Sequence, residues 1–410
     1  MPDYHLHTLP NSIRIIHKQV SHTKIAHSGF ILDIGSRDEN QDQQGLAHFW
    51  EHMAFKGTKK RKSFHIINRL ETVGGELNAY TTKEKLCFYA SVLDKHFEKA
   101  FELLTDITFN STFPSKEIEK ERGVILEEMS MYLDAPEDAI VDDFDEVVFQ
   151  NHSLGNNILG TRESVSGFSK KDFLKFIADN LSTDHLVFCS VSNLPFEKVV
   201  KLAQKYLGNI PTITKERARQ PFSAYKANII SVEKPIVQAH CVIGCPAYAL
   251  ADIKRIPFFM LVNILGGPGM NSRLNLSVRE KHGLVYTIDA NYATYIDTGL
   301  FGIYFGTEKK QLKRTTDLVL KELKKLREKP LGTLQLHTAK EQLMGQLAMA
   351  EESNIGLMMM LGKSILDMDK VDTLNEIFDQ IRQIDAKQLQ DIANEVLFED
   401  NLSFLNYIPA

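Results

Sequence analysis

A chain of 410 residues, 43% apolar and 25% charged, can bury a large core and form two or three domains. Its formal net charge of −5 argues against nucleic acid or an anionic membrane as the main partner. No uninterrupted apolar run approaches the roughly 18 residues of a membrane-spanning helix, so no membrane insertion is expected.

Met1-Pro2-Asp3-Tyr4 lacks the basic segment and apolar stretch of a secretory signal, which makes a cytoplasmic location the expectation. Ala26 to Ile34 reads as a strand. The next segment, 46 to 55, reads as a helix and contains His48-Phe49-Trp50-Glu51-His52. His48 and His52, four apart, leave one face together with Glu51, while Leu46, Phe49, Trp50, Met53 and Ala54 form an apolar stripe opposite. Gly57 is the expected C-terminal stop. Two imidazoles and a carboxylate so spaced can hold a zinc ion and activate a water; the alternative is a surface helix that happens to display two histidines. Lys59-Lys60-Arg61-Lys62 reads as a solvated loop without a function. Glu84 to Val92 alternates as a strand and feeds a helix from His96 to Ile107.

A catalytic zinc usually takes three protein ligands and leaves one position for water, so a second segment must supply a ligand. On a helix through residues 121 to 128, Glu121 and Glu128 lie within about 20° of each other. They share a face with Ile118, Val124, Ile125 and Tyr132, whereas Glu127 points elsewhere. A carboxylate on an apolar face is costly to bury without a cation or donor. That selects Glu128 over Glu127 as the third ligand, with a salt bridge to a buried Arg or Lys as the alternative. Glu121, one repeat earlier, suits the orientation of a ligating histidine through its free ring N–H.

Pro211 to Tyr225, with two prolines and several charges, is the expected linker between domains at 1–210 and 226–410. The four cysteines, Cys87, Cys189, Cys241 and Cys245, make no disulfide framework in so long a chain; the last two lie in a strand-like run from Val237 and read as buried thiols. A shift of 210 residues lays Ile256 to Val262 on Leu46 to His52, with Phe258, Leu261 and Val262 where the first copy has His48, Glu51 and His52. Leu300 to Phe305 then feeds a helix from Lys309 to Arg327. Strands followed by helices in each half predict an α+β protein of two tandem homologous domains, each a mainly antiparallel sheet packed with helices. Only the first would carry a metal site.

Taken together, these motifs resemble those of the pitrilysin-type inverzincin peptidases, whose members include mitochondrial processing peptidase, insulin-degrading enzyme and smaller bacterial peptidases. Gly45 to Thr58 is similar, nearly residue for residue, to the family's zinc helix, and Glu128, 128 − 52 = 76 residues after His52, fits the spacing of its distal glutamate. The resemblance implies a zinc endopeptidase with one Zn2+ per chain on His48, His52 and Glu128. Glu51 would take a proton from the attacking water and return it to the leaving amine. Gly74-Gly75-Glu76-Leu77-Asn78-Ala79-Tyr80-Thr81 resembles the strand beside the metal, which implies that Asn78, Ala79, Tyr80 and Thr81 hold extended peptide substrates by strand addition. In the run from Ser272 to Tyr286, Arg279 and Tyr286 resemble the pair that such enzymes bring to the substrate carbonyl.

Long family members fold as four such domains around a chamber, with that pair in the half opposite the zinc. The chain resembles one half, which implies a homodimer with Arg279 and Tyr286 supplied in trans. Two alternatives remain: a non-catalytic scaffold relative, against which the complete ligand set argues, and the catalytic subunit of a heterodimeric presequence-processing peptidase. Gly266-Gly267-Pro268-Gly269 is only a short version of the long glycine-rich loop expected of the partner subunit in such an enzyme.

Overall fold

The computed structural model describes residues 4–217 and 219–410. Residues 1–3, on which most of the N-terminal reading rests, and Ala218 in the predicted linker lie outside the described residues. The chain runs β1 (His5–Thr8), β2 (Arg14–Gln19), β3 (Ile25–Leu32), α1 (Leu46–Met53), α2 (Ser63–Glu71), β4 (Glu76–Thr81), β5 (Leu86–Leu93), α3 (Phe97–Phe109), α4 (Ser115–Asp134), α5 (Pro136–Val148), α6 (Arg162–Gly167), α7 (Lys170–Asn180), β6 (Leu186–Ser192) and α8 (Phe196–Leu207). It continues through β7 (Ile229–Lys234), β8 (Ala239–Ala247), α9 (Arg255–Gly266), β9 (Val285–Thr294), β10 (Gly299–Thr307), α10 (Leu312–Glu328), α11 (Thr333–Glu351), α12 (Asn354–Met368), α13 (Leu374–Gln383), α14 (Ala386–Val396) and β11 (Ser403–Pro409). No helix among the described residues is long and apolar enough to cross a membrane.

Two sheets form, in the orders β1-β2-β6-β3-β5-β4 and β7-β11-β8-β10-β9. In the first, β2 and β6 run parallel and every other pair is antiparallel. The second repeats this, with β7 and β11 as its one parallel pair. The internal repeat read from the shift of 210 residues is therefore also a repeat of topology, and β4 and β9 are the corresponding edge strands.

Strand β6, Leu-Val-Phe-Cys-Ser-Val-Ser, is buried along its whole length. A strand buried on both faces requires helices on both. On one face Phe30, Phe88 and Phe188 pack under Phe49 and Trp50 of α1, Phe101 of α3 and Phe176 of α7. On the other, Ile31, Cys87, Val187 and Cys189 pack under Leu357, Met358, Leu361 and Ile365 of α12. Close approach there depends on Gly362, where a Cβ would lie 2.7 Å from Ile31 Cδ1 and 3.0 Å from Cys189 Sγ. The second sheet is covered by α9, α10 and α14 on one face. Its other face is covered by Ile140, Phe144 and Val148 of α5.

A cut at 211–225 into 1–210 and 226–410 is thus not how the chain divides. One compact unit comprises 1–129, 156–219 and 349–373, and the other 130–155, 220–348 and 374–410. The sequence reading missed this because α5 and α12 each complete the sheet of the other half, a long-range choice that local periodicity does not encode. All four cysteines are buried free thiols, the state expected of Cys241 and Cys245.

Residues 211–228 hold no helix or strand among the described ones, but the stretch is not a free tether. Arg219 forks onto Asp38, with Nε to Oδ1 and Nη2 to Oδ2 both 2.7 Å, and its Nη1 lies 3.1 Å from Asp33 Oδ1. Arg217 and Lys85 also pair with Asp33, and Lys85 with Asp367. Burial pushes the Asp33 carboxyl up, but Lys85, Arg219 and Arg217 outweigh this and hold it well below the usual carboxylate range. Arg219→Met is expected to lower stability at neutral pH by about 3 kcal/mol, the lower end for breaking a buried pair, because Asp33 keeps two other cations. Since the folded pKa of Asp33 lies below its unfolded value, its contribution is full above about pH 4 and is lost as pH falls through the folded value. Urea unfolding at neutral pH and near pH 3 checks both parts. The variant should lose less additional stability in acid than wild type, and equal losses would contradict the pairing.

Candidate metal centre

Helix α1 begins at Gly45, whose φ of +92° turns the chain in a conformation that glycine adopts without strain. Leu46, Phe49, Trp50 and Met53 are fully buried, and Phe49 stands edge-on to Phe173 at 5.1 Å between centroids. With the apolar stripe locked inward, His48, Glu51 and His52 share the remaining face, as the spacing predicts. The helix ends earlier than 55, at Met53, and Gly57 is not its left-handed stop. The chain leaves through Ala54 in right-handed helical geometry, and Gly57 instead bridges to Lys62 and packs against Pro114. Arg61 of the basic run is not merely solvated either: it binds Glu102 at 2.7 Å and Asp106 at 2.6 Å.

Helix α4 brings in the carboxylates. Ile118, Glu121 and Ile125 are buried, and Glu128 is half-buried one turn on from Ile125. Val124 is 49% exposed, so the inward face is narrower than predicted. Glu128 Oε2 lies 3.8 Å from His48 Nε2 and 3.6 Å from His52 Nε2. One ligand atom from each of His48, His52 and Glu128 falls within 4.8 Å of the others.

These separations decide between hydrogen bonding and metal binding. N–H···O bonds need about 2.7–3.2 Å, so neither histidine is bonded to Glu128. Ligands at about 2.1 Å from a tetrahedral zinc stand roughly 3.4 Å apart, close to what is seen. The state of His48 agrees. Burial, then His52, pushes the His48 imidazole down to about 3, which leaves a neutral ring with a lone pair to give. Two imidazoles and a carboxylate fit a divalent transition metal, zinc among them.

Glu121 Oε2 lies 3.3 Å from His52 Nδ1, and its Oε1 lies 2.7 Å from Lys56 Nζ. Burial pushes the Glu121 carboxyl up, but His52 and Lys56 outweigh it and keep the group below its ordinary value. An ionised Glu121 facing Nδ1 favours the tautomer that leaves Nε2 free toward Glu128. Glu51 differs: burial raises its carboxyl, opposed in part by the Thr81 hydroxyl, which donates to Oε2 at 2.6 Å. A carboxylate raised from its usual range is a better proton acceptor than an ordinary surface glutamate.

The strand expected to hold substrate, β4, lies at an edge of its sheet. Asn78 is exposed, Ala79 packs against the core, and Tyr80 reaches Met359 with Lys363 Nζ 5.2 Å from its ring centroid. Thr81 serves Glu51, a link that sequence reasoning did not make. Strand alternation carried the signal, since Leu77, Ala79 and Thr81 share the face toward α1.

Arg279 and Tyr286 belong to the second unit. Arg279 sits in a π-helical turn, Asn275–Glu280, and its guanidinium carbon is 5.8 Å from the centroid of the Tyr286 ring. Tyr286 is 84% exposed on β9. The two thus form a pair in themselves. In α9, Phe258, Leu261 and Val262 are buried, so the second copy of the helix holds apolar side chains where the first has His48, Glu51 and His52.

Comparison with known proteins bears on the family and the fold. Residues 14–162 match the sequence profile described as Insulinase (Peptidase family M16), and 167–343 match the one described as Peptidase M16 inactive domain. The chain is 32% identical over 394 residues to the "uncharacterized zinc protease YmxG" of Bacillus subtilis, covering 96% of each. It is also 32% identical over 400 residues to an "uncharacterized zinc protease" of Rickettsia felis, covering 96% of this chain and 95% of that one. Among solved structures, a peptidase M16 inactive domain from Pseudomonas fluorescens superposes with a TM-score of 0.92 at 18% identity, over 100% of this chain and 98% of that one. A protease from Helicobacter pylori does so with 0.90 at 20% identity, over 100% of both.

Proposed function

The chain belongs to peptidase family M16, and from that premise we propose that it is a zinc-dependent endopeptidase acting on peptides or unfolded polypeptides held in extended form. The observation that carries this reading is one cluster. Three candidate ligand atoms within 4.8 Å of one another stand beside a half-buried glutamate, and Thr81 of an edge strand holds that glutamate. The names of the relatives support zinc as the metal.

In this reading His48, His52 and Glu128 hold the ion. Bound there, zinc lowers the pKa of a coordinated water and polarises a carbonyl. Glu51 accepts the proton as water attacks the scissile carbonyl and delivers it to the leaving amine, while the Thr81 hydroxyl fixes one carboxylate oxygen. Unpaired main-chain groups along β4 can add substrate as a further strand, which tolerates many side chains. Arg279 and Tyr286 offer a cation and a phenol to the developing oxyanion. We assign them to the site of a second copy in a homodimer that encloses a chamber, in keeping with the chain's resemblance to one half of the long inverzincins. The complete ligand set speaks against a scaffold role. A cytoplasmic setting completes the proposal, in keeping with four unpaired buried thiols.

Digestion of a mixed peptide library tests the function. Cleavage should stop with a metal chelator and return when zinc is restored. Products that persist undiminished in chelator would rule out metal-dependent hydrolysis.

A further inference from the structure

The N-terminus of an α-helix leaves its first N–H groups without partners inside the helix, and a side chain at the N-cap usually accepts from one of them. The N-cap of α1 is Gly45, which has no side chain to do so. Glu39, six residues earlier and only 6% exposed, takes that place from a distance: its Oε2 accepts from the Gly45 N–H at 2.9 Å and its Oε1 from the Ala47 N–H at 2.7 Å. A carboxyl group that accepts from two main-chain donors at the positive end of a helix is a two-point clamp, and burial, which these two donors oppose only in part, pushes it well above the usual carboxylate range. Ala47 directly precedes His48.

The approach to the helix is fixed from a second side as well. A Cβ on Gly45 would stand 2.4 Å from Leu159 O, and one on Gly160 would stand 2.2 Å from Gln44 O. Ser164 Oγ donates to Gln44 O at 2.6 Å. The two histidines depend on this anchorage to different degrees. His52 has Glu121 at its Nδ1, whereas Nδ1 of His48 is buried without a hydrogen-bond partner among the described residues. The direction of the His48 ring is therefore set by packing and by the position of its backbone.

We infer that Glu39 is a positioning residue for the metal: it fixes the backbone under His48 as Glu121 fixes the ring of His52. This rests on reading the His48, His52 and Glu128 cluster as a zinc site. Ligand groups must be held to within roughly 0.5 Å, and neither glutamate needs to touch the ion to achieve it.

The test is zinc affinity of the full chain, measured by competition with a chromophoric chelator and paired with thermal unfolding in the absence of zinc. Glu39→Gln keeps the shape but sets an amide NH2 against one of the two N–H groups. It should weaken zinc binding roughly 10- to 100-fold, the range typical of residues that orient ligands. Val199→Ala, a cavity under the inward face of α8, is the control: it should cost thermal stability and leave zinc affinity unchanged. Wild-type affinity in Glu39→Gln, or equal weakening in both variants, would overturn the inference. Should Glu39→Gln not fold, Glu39→Asp gives the same readout with the carboxyl group kept and the reach shortened. Failure of both to fold would assign Glu39 to the fold alone and overturn the inference too. A wild-type chain that takes up no zinc would instead defeat the metal-centre reading, and this inference with it.

Discussion

Glu51→Gln is expected to lower kcat for peptide cleavage by roughly a hundred- to ten-thousand-fold, the contribution of one positioned proton-transfer group. The substitution is nearly isosteric, and its amide oxygen can still accept from Thr81, so the site keeps its shape. What it loses is the capacity to take a proton. Glu51 is not among the three clustered ligand groups, so zinc content should stay at the wild-type level. Steady-state rates on a fluorogenic peptide, with metal content measured on the same samples, separate these outcomes. A variant that cleaves normally would remove Glu51 from the mechanism, and one that loses its zinc would move it into the ligand set. Mixing the variant with Arg279→Ala chains extends the test to the proposed dimer. Each chain then supplies what the other lacks, and recovered activity is expected only if the pair is shared in trans.

Glu128→Gln should be as damaging by a different route. A neutral amide in place of the carboxylate removes the one formal negative charge from the ligand trio, leaving two imidazoles to hold a dication. Removing a ligand should cost more than removing a residue that orients one, so zinc affinity is expected to fall by more than about 100-fold, and activity with it. Glu127→Gln, on the adjacent residue, is the internal control. Glu127 is exposed, and substitutions there should change stability by less than about 0.5 kcal/mol and leave zinc and activity intact. Equal effects of the two substitutions would contradict the assignment of the third ligand.

The separation of Glu128 from Glu127 shows what sequence could deliver. Helical periodicity assigns each residue of α4 a direction, and the cost of burying a carboxylate makes the inward one informative. The same logic placed His48, Glu51 and His52 opposite the stripe of Leu46, Phe49, Trp50 and Met53. It failed where partners are remote in the chain. Nothing near Glu39 points to Gly45 and Ala47, and nothing in the polar stretch around Arg219 announces that its guanidinium is buried against Asp33 and Asp38. Gly57 failed for another reason: a glycine after a helix is a frequent stop, but here close packing against Pro114 explains it. The architecture of two repeated sheets was legible because β-alternation is a local pattern and the 210-residue shift shows the same order of elements twice. Which helix covers which second face was not.

That last point bears on how the protein comes into being. As the chain leaves the ribosome, residues through α8 can assemble a six-stranded sheet carrying His48, His52 and Glu128, but one face of it stays bare. The cover arrives with α12, after most of the second unit but before its strand β11 has been made. Meanwhile α5, already synthesised, waits for β8 and β11 to give it a surface to lie on. The unit that holds these three residues therefore lacks the cover of one sheet face until α12 has been made. A chain cut before α12 should carry the candidate metal cluster on a sheet with one apolar face uncovered.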